Sequence, residues 1–135
     1  MRKILVAFFC LSVLLIVNVY PQARVSARLQ RMLQEAEQAN TPIRVLVMLT
    51  EKVDISRLDE ELYAQRAEPA QRAFIVITTL MEKAEYSQRG IISYLEKMKP
   101  DKVIGYKRFW IVNLVMVEAY PEIIRALAMR DDVDY

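Results

Sequence analysis

Histidine is absent from this 135-residue chain, and cysteine occurs once, at Cys10. The first absence excludes Ser-His-Asp and Cys-His catalysis and every zinc motif that needs an imidazole. Cys10 lies inside an N-terminal apolar run, so the rest of the chain carries no disulfide, thiolate nucleophile or paired-cysteine metal site. Glycine is nearly as scarce, and Gly90 and Gly105 alone cannot supply a phosphate-cradling loop. A surplus of one charge is missing too. Nineteen bases and seventeen acids leave +2, but Arg2, Lys3 and Arg24 precede Arg28, so residues 28–135 carry −1. No basic patch interleaved with aromatics points to nucleic acid. No cofactor or metal is expected. The paired acids Glu60-Glu61 and Asp131-Asp132 read as solvated charges, because burying two like charges is costly.

What the chain does contain starts with an export signal. Arg2 and Lys3 form a positive start, Ile4 to Val17 is apolar but for Ser12, and Val25-Ser26-Ala27 offers small residues for cleavage after Ala27. Residues 1–27 are therefore expected to be a signal peptide, the only part of the chain that meets a membrane. Its strongly apolar part is shorter than the roughly 20 residues that span a bilayer. Residues 28–41 read as a short amphipathic helix, with Leu29, Met32, Leu33 and Ala36 on one stripe and Asn40 as a stop, followed by a linker. Residues 42–135 read as one domain.

Within that domain Ile43 to Thr50 is a strand, and Asp54 or Ser56 can cap a helix through Leu58 and Leu62. Pro69 suits the first position of a long helix. Its apolar seam runs through Ala70, Phe74, Ile77, Met81, Ala84, Gln88, Ile91, Leu95 and Met98. Thirty residues span about 45 Å, longer than a small sheet is wide, so a bend near Gly90 or an overhang is expected. Lys102 to Tyr106 and Phe109 to Ala119 read as a hairpin turning at Lys107-Arg108, and Pro121 opens a second helix through Arg130. Val133 to Tyr135 reads as the opening of a last strand. The order is that of a ferredoxin-like open-faced sandwich: a βαββαβ antiparallel sheet with helices on one face and the last strand cut short.

The strand from Phe109 to Ala119 is apolar on both faces, although a strand of a small antiparallel sheet normally keeps one face wet. The second face therefore wants a cover. Trp110, Val112, Leu114 and Met116, with Leu46 and Met48 beside them, are the expected partner-binding face. Ile111, Asn113, Val115 and Val117 are the alternative, because sequence alone does not say which side the helices take. Asn113 reads either as a satisfied amide at a bend or as an interface hydrogen-bonding group.

RLQRMLQEAE, IRVLVMLTEKVDIS, a long helix and FWIVNLVMVEAYPEIIRALAMRDDV, in that order behind a signal, resemble the propeptide of secreted subtilisin-like serine proteases, in particular the bacillopeptidase F-like branch. The resemblance implies an intramolecular chaperone and temporary inhibitor. Its open sheet face would dock on surface helices of a subtilisin-like catalytic domain, its natural partner. It also implies that the chain, which ends at Tyr135 before any Asp, His and Ser motifs, is part of a longer protease or a truncated product. The chain itself is not expected to be an enzyme. The alternative from another class is a secreted ferredoxin-like module that binds a ligand or dimerises through its sheet. A membrane-tethered coiled coil fits the strands and the Pro121 helix poorly.

Overall fold

The computed structural model describes residues 25–135. The apolar run of the expected signal lies outside them. Val25 to Ala27 are described, and the Ser26 hydroxyl accepts the Leu29 backbone N–H at 3.1 Å. Ser26 thereby caps the first helix, α1 (Ala27–Ala39). Asn40 closes α1 in the left-handed region at φ 50°, which asparagine tolerates better than most residues.

Among the described residues the fold is α+β, with four helices and one three-stranded antiparallel sheet. Strand β1 (Ile43–Met48) is followed by α2 (Ile55–Ala64), whose first turn is capped by the Asp54 carboxylate accepting the Arg57 N–H at 3.0 Å. Helix α3 (Pro69–Lys97) starts on its proline. Strands β2 (Val103–Phe109) and β3 (Leu114–Ala119) form a hairpin, and α4 (Pro121–Ala128) closes the described elements. The sheet order is β1-β3-β2, so β1 and β2 run parallel with β3 inserted between them and antiparallel to both. Beyond α4, Val133 forms one antiparallel bridge with Leu49 on the free side of β1.

One strand parity is sealed. Val45 and Val47 of β1 and Val115, Val117 and Ala119 of β3 are buried. They form one core with Leu33 of α1, Ile91 and Leu95 of α3, and Ile123, Ile124 and Leu127 of α4. These three helices therefore lie on the same side of the sheet.

Two expectations need correction. The hairpin does not turn at Lys107-Arg108. Lys107 pairs with Met116 and Arg108 with Val115, and the turn is Trp110 to Asn113. The run of strand formers is broken because Asn113 takes φ 44° and its N–H bonds the Trp110 carbonyl at 3.3 Å. Tertiary hydrogen bonds to its side chain hold it there, a case of context overriding β-propensity. Nor does the strand before the turn end at Tyr106, since β2 runs on to Phe109. Gly105 lies within it, opposite Glu118 at a bulge between Val103 and Gly105.

The seam of α3 is also only half used. Ala84, Gln88, Ile91 and Leu95 are buried, whereas Phe74 is 69% exposed and Met81 49%. The helix continues unbroken through Gly90, so of the two expectations there the overhang is realised. A Cβ at Gly90 would stand 3.1 Å from the Arg130 guanidinium, so this glycine lets the Arg130–Asp132 ion pair approach the helix.

Candidate docking surface

The parity opposite the core faces away from α1, α3 and α4. On β1 it carries Arg44, Leu46 and Met48; on β3, Leu114, Met116 and Glu118; on β2, Lys107 and Phe109, through their pairing with Met116 and Leu114. Leu46 is 60% exposed, while Met48, Leu114, Met116 and Phe109 are half-buried by one another. The surface is graded along the strands. At one end Arg44 donates to Glu118 at 2.6 Å, a largely exposed ion pair. In the middle and at the hairpin end it is apolar, with the Lys107 ammonium 5.2 Å from the Phe109 ring centre. Two of its residues are methionines, whose flexible thioethers adapt to an irregular partner.

The expected face residues divide. Leu46, Met48, Leu114 and Met116 share this surface. Trp110 and Val112 do not belong to the sheet, because the strand ends before them; they sit on the hairpin tip. There Ile111 and Val112 are 63% and 51% exposed. The tip, the start of α2 and the α3 overhang enclose a groove of about 350 Å³ lined by Met48, Val53, Ile55, Leu80, Trp110 and Val112. Met48 thus belongs to both surfaces and joins them. Lys107 and Phe109 escape sequence reading because both flank the misplaced turn. A left-handed asparagine three positions past Trp110 is the signal that would have moved it.

The alternative face is used by the core: Val115 and Val117 are fully buried under the helices, and Ile111 is on the tip. Asn113 is 6% exposed, and its polar atoms are engaged inside the chain. Its Nδ2 donates to the Glu51 carbonyl and, at 2.9 Å, to Ser87 Oγ, while its Oδ1 accepts from Gln88 Nε2 at 3.0 Å. Gln88, buried in α3, also donates to the Phe109 carbonyl at 3.1 Å and accepts from Arg108 Nε at 2.9 Å. The amide of Asn113 therefore anchors the turn to α3 and to the loop after β1.

Groups with displaced pKa values lie off this surface. Tyr106 and Lys99 hydrogen bonds hold the Glu96 carboxyl below its ordinary value, and the Arg125 guanidinium does the same for Glu37. Glu122 raises Lys102. All three are solvent-facing pairs that pin helix ends rather than acid–base groups in a cleft. Among the described residues no set of acidic side chains is gathered to hold a metal ion, and no helix is long and apolar enough to cross a membrane.

No protein-family model matches the chain, and no curated protein or solved structure matches it significantly.

Proposed function

We propose that this chain is the prodomain part of a secreted subtilisin-like serine endopeptidase, exported by its N-terminal signal. Its open sheet face docks on the catalytic domain, templates that domain's folding and holds it inactive. The observation that carries this reading is the asymmetry of the sheet: one side is sealed by three helices, the other presents Leu46, Met48, Leu114, Met116 and Phe109 without a covering element among the described residues. The order β1-β3-β2 with Val133 beside β1 supports a ferredoxin-like sandwich whose fourth strand is reduced to one bridge. An apolar sheet face of this kind on an isolated chain is a binding site or an aggregation hazard. A partner that buries it adds the stability it lacks.

Size sets the footprint. Three strands of six or seven residues project an area of about 20 Å by 14 Å, roughly 300 Å². A specific interface needs about 800 Å² per partner. The contact therefore extends over the hairpin tip and the Met48 groove, and a sheet-only homodimer would be weak. Titration of the full chain against a subtilisin-type catalytic domain tests the proposal, with substrate hydrolysis and refolding yield as readouts. Slowed hydrolysis and a higher yield are expected. A chain that self-associates and changes neither is instead a dimerisation module.

A further inference from the structure

Helix α3 runs past the sheet, and its overhanging turns keep an apolar seam on the surface. Ala84, Gln88, Ile91 and Leu95 are buried where α3 packs on β2 and β3. The same spacing of threes and fours continues back through Met81, Ile77, Phe74 and Ala70, and all four are exposed, Phe74 at 69%. Met81 is the one that reaches the body of the fold, where it lines a hollow with Trp110 of the hairpin tip. Helix α2 does not cover this seam. It packs at Arg72, two residues from both Ala70 and Phe74 and so about half a turn around the helix. There the Arg72 guanidinium stands 5.3 Å from the Tyr63 ring centre and 3.9 Å from Asp59. Ser26 and Tyr135, near the two ends of the described chain, meet in a groove along β1, whereas α3 lies over the other two strands.

Several features fit this seam to a second copy of the chain. Its heptad spacing is the pattern by which one helix packs on another. The flanking positions Gln71, Ala73, Thr78 and Leu80 carry no charge, so two copies meet without like-charge repulsion. A parallel pair would crowd both hairpin tips at one end of the overlap, because each tip stands beside its own Met81. An antiparallel pair, with its two-fold axis between Ile75 and Val76, separates them. It sets Phe74 of one copy against Ile77 of the other, and Ala70 against Met81, a small side chain facing a large one. Glu85, exposed beside the seam, comes level with the other copy's exposed Arg66.

We infer that the chain forms an antiparallel homodimer through the overhanging turns of α3. Both helices are already formed, so association orders little backbone. The overlap from Ala70 to Met81 is about 17 Å long. That is short of a standard interface of about 800 Å² per partner, so the dimer is weak and reversible. The inference does not rest on docking by the open sheet face, which lies on the side of the sheet away from α3 and takes no part in this contact.

The test is sedimentation equilibrium of the full chain, which should pass reversibly from one chain to two in the micromolar range. Ile77→Asp should raise the dissociation constant about tenfold or more, because it puts a carboxylate in both inner layers. The urea midpoint should stay close to its starting value, since Ile77 is 45% exposed. Phe74→Ser should weaken the dimer similarly, and Tyr86→Asp, 69% exposed on the far side of α3, should not. Nitroxide labels on Glu82→Cys and Arg89→Cys, each in a Cys10→Ser background, read the alignment by pulsed dipolar spectroscopy. In the antiparallel pair each label and its twin lie about 20 Å and 40 Å apart along the axis, respectively, and in a parallel pair they are level. A chain that stays single up to millimolar concentration, association that survives Ile77→Asp, or equal spacing at both labelled positions would each overturn the inference. So would loss of protease inhibition by Ile77→Asp in a chain that is single without it, which would assign the seam to a catalytic domain instead.

Discussion

The two faces of the sheet are both largely apolar and live in opposite surroundings. Val45, Val47, Val115 and Val117 are buried at 8% exposure or less, whereas Leu46, one residue away, is 60% exposed. A one-residue step reverses a strand side chain, so apolar content alone does not say which face is covered; the placement of the helices does. The difference teaches that apolar character on a strand has two meanings here. On the covered side it is the folding energy of this chain, and on the other it is left without a covering element among the described residues.

The largest effect should come from breaking the covered face. Val117→Asp puts an unpaired charge in the core and should abolish cooperative unfolding in urea. Leu95→Ala should cost about 2–5 kcal/mol through lost burial and the cavity left behind. On the open face, Met116→Asp should cost only about 1 kcal/mol of unfolding free energy, while, on the proposed docking, it should abolish inhibition of a subtilisin-type protease. A large stability loss at Met116 would show that this side is also structural.

A fourth substitution probes the joint between the faces. Asn113→Ala removes the bonds to Glu51, Ser87 and Gln88 and places alanine at φ 44°. A loss of about 1–3 kcal/mol is expected. Asn113→Gly keeps the backbone conformation and should lose less. Equal losses would mean that the hydrogen bonds, not the left-handed turn, dominate.

The smallest effect concerns pH and the helix side alone. The carboxyls of Glu37 and Glu96 are held below the ordinary 4.5 by Arg125 and by Tyr106 with Lys99. A depressed folded-state pKa stabilises above the unfolded value and is lost as pH falls through the folded one. Thermal midpoints should therefore be flat from neutrality to about pH 5 and decline below 4.5. Glu37→Gln should remove part of the slope. Both groups are solvent-exposed, so the decline is shallow.

Much of this was legible from local pattern. Asn40, Asp54, Pro69 and Pro121 mark helix ends through their own backbone and capping chemistry, and the structure places a boundary at each. The strand Ile43 to Met48 and the helix seam around Ile91 and Leu95 are likewise written in periodicity. The hairpin turn was not, because Trp110 to Val112 have strand-forming side chains and the turn is held from outside by Gln88 and Ser87. The α3 overhang was legible as a length mismatch, although the exposed Phe74 and Met81 look no different in sequence from the buried Ile91. The open face was legible as a parity with two candidates, and the covering helices select one.

The inserted central strand also governs how the chain is made. Ile43 pairs with Ala119 and Met48 with Leu114, so β1 leaves the ribosome roughly seventy residues before its neighbour, on the order of 4–14 s at ordinary elongation rates. During that interval Val45 and Val47 have no ladder, and Leu46 and Met48 have no cover on either side. Slower translation lengthens this exposure and faster translation shortens it. Soluble yield should thus respond to codon choice between β1 and β3 more than to codon choice after α4.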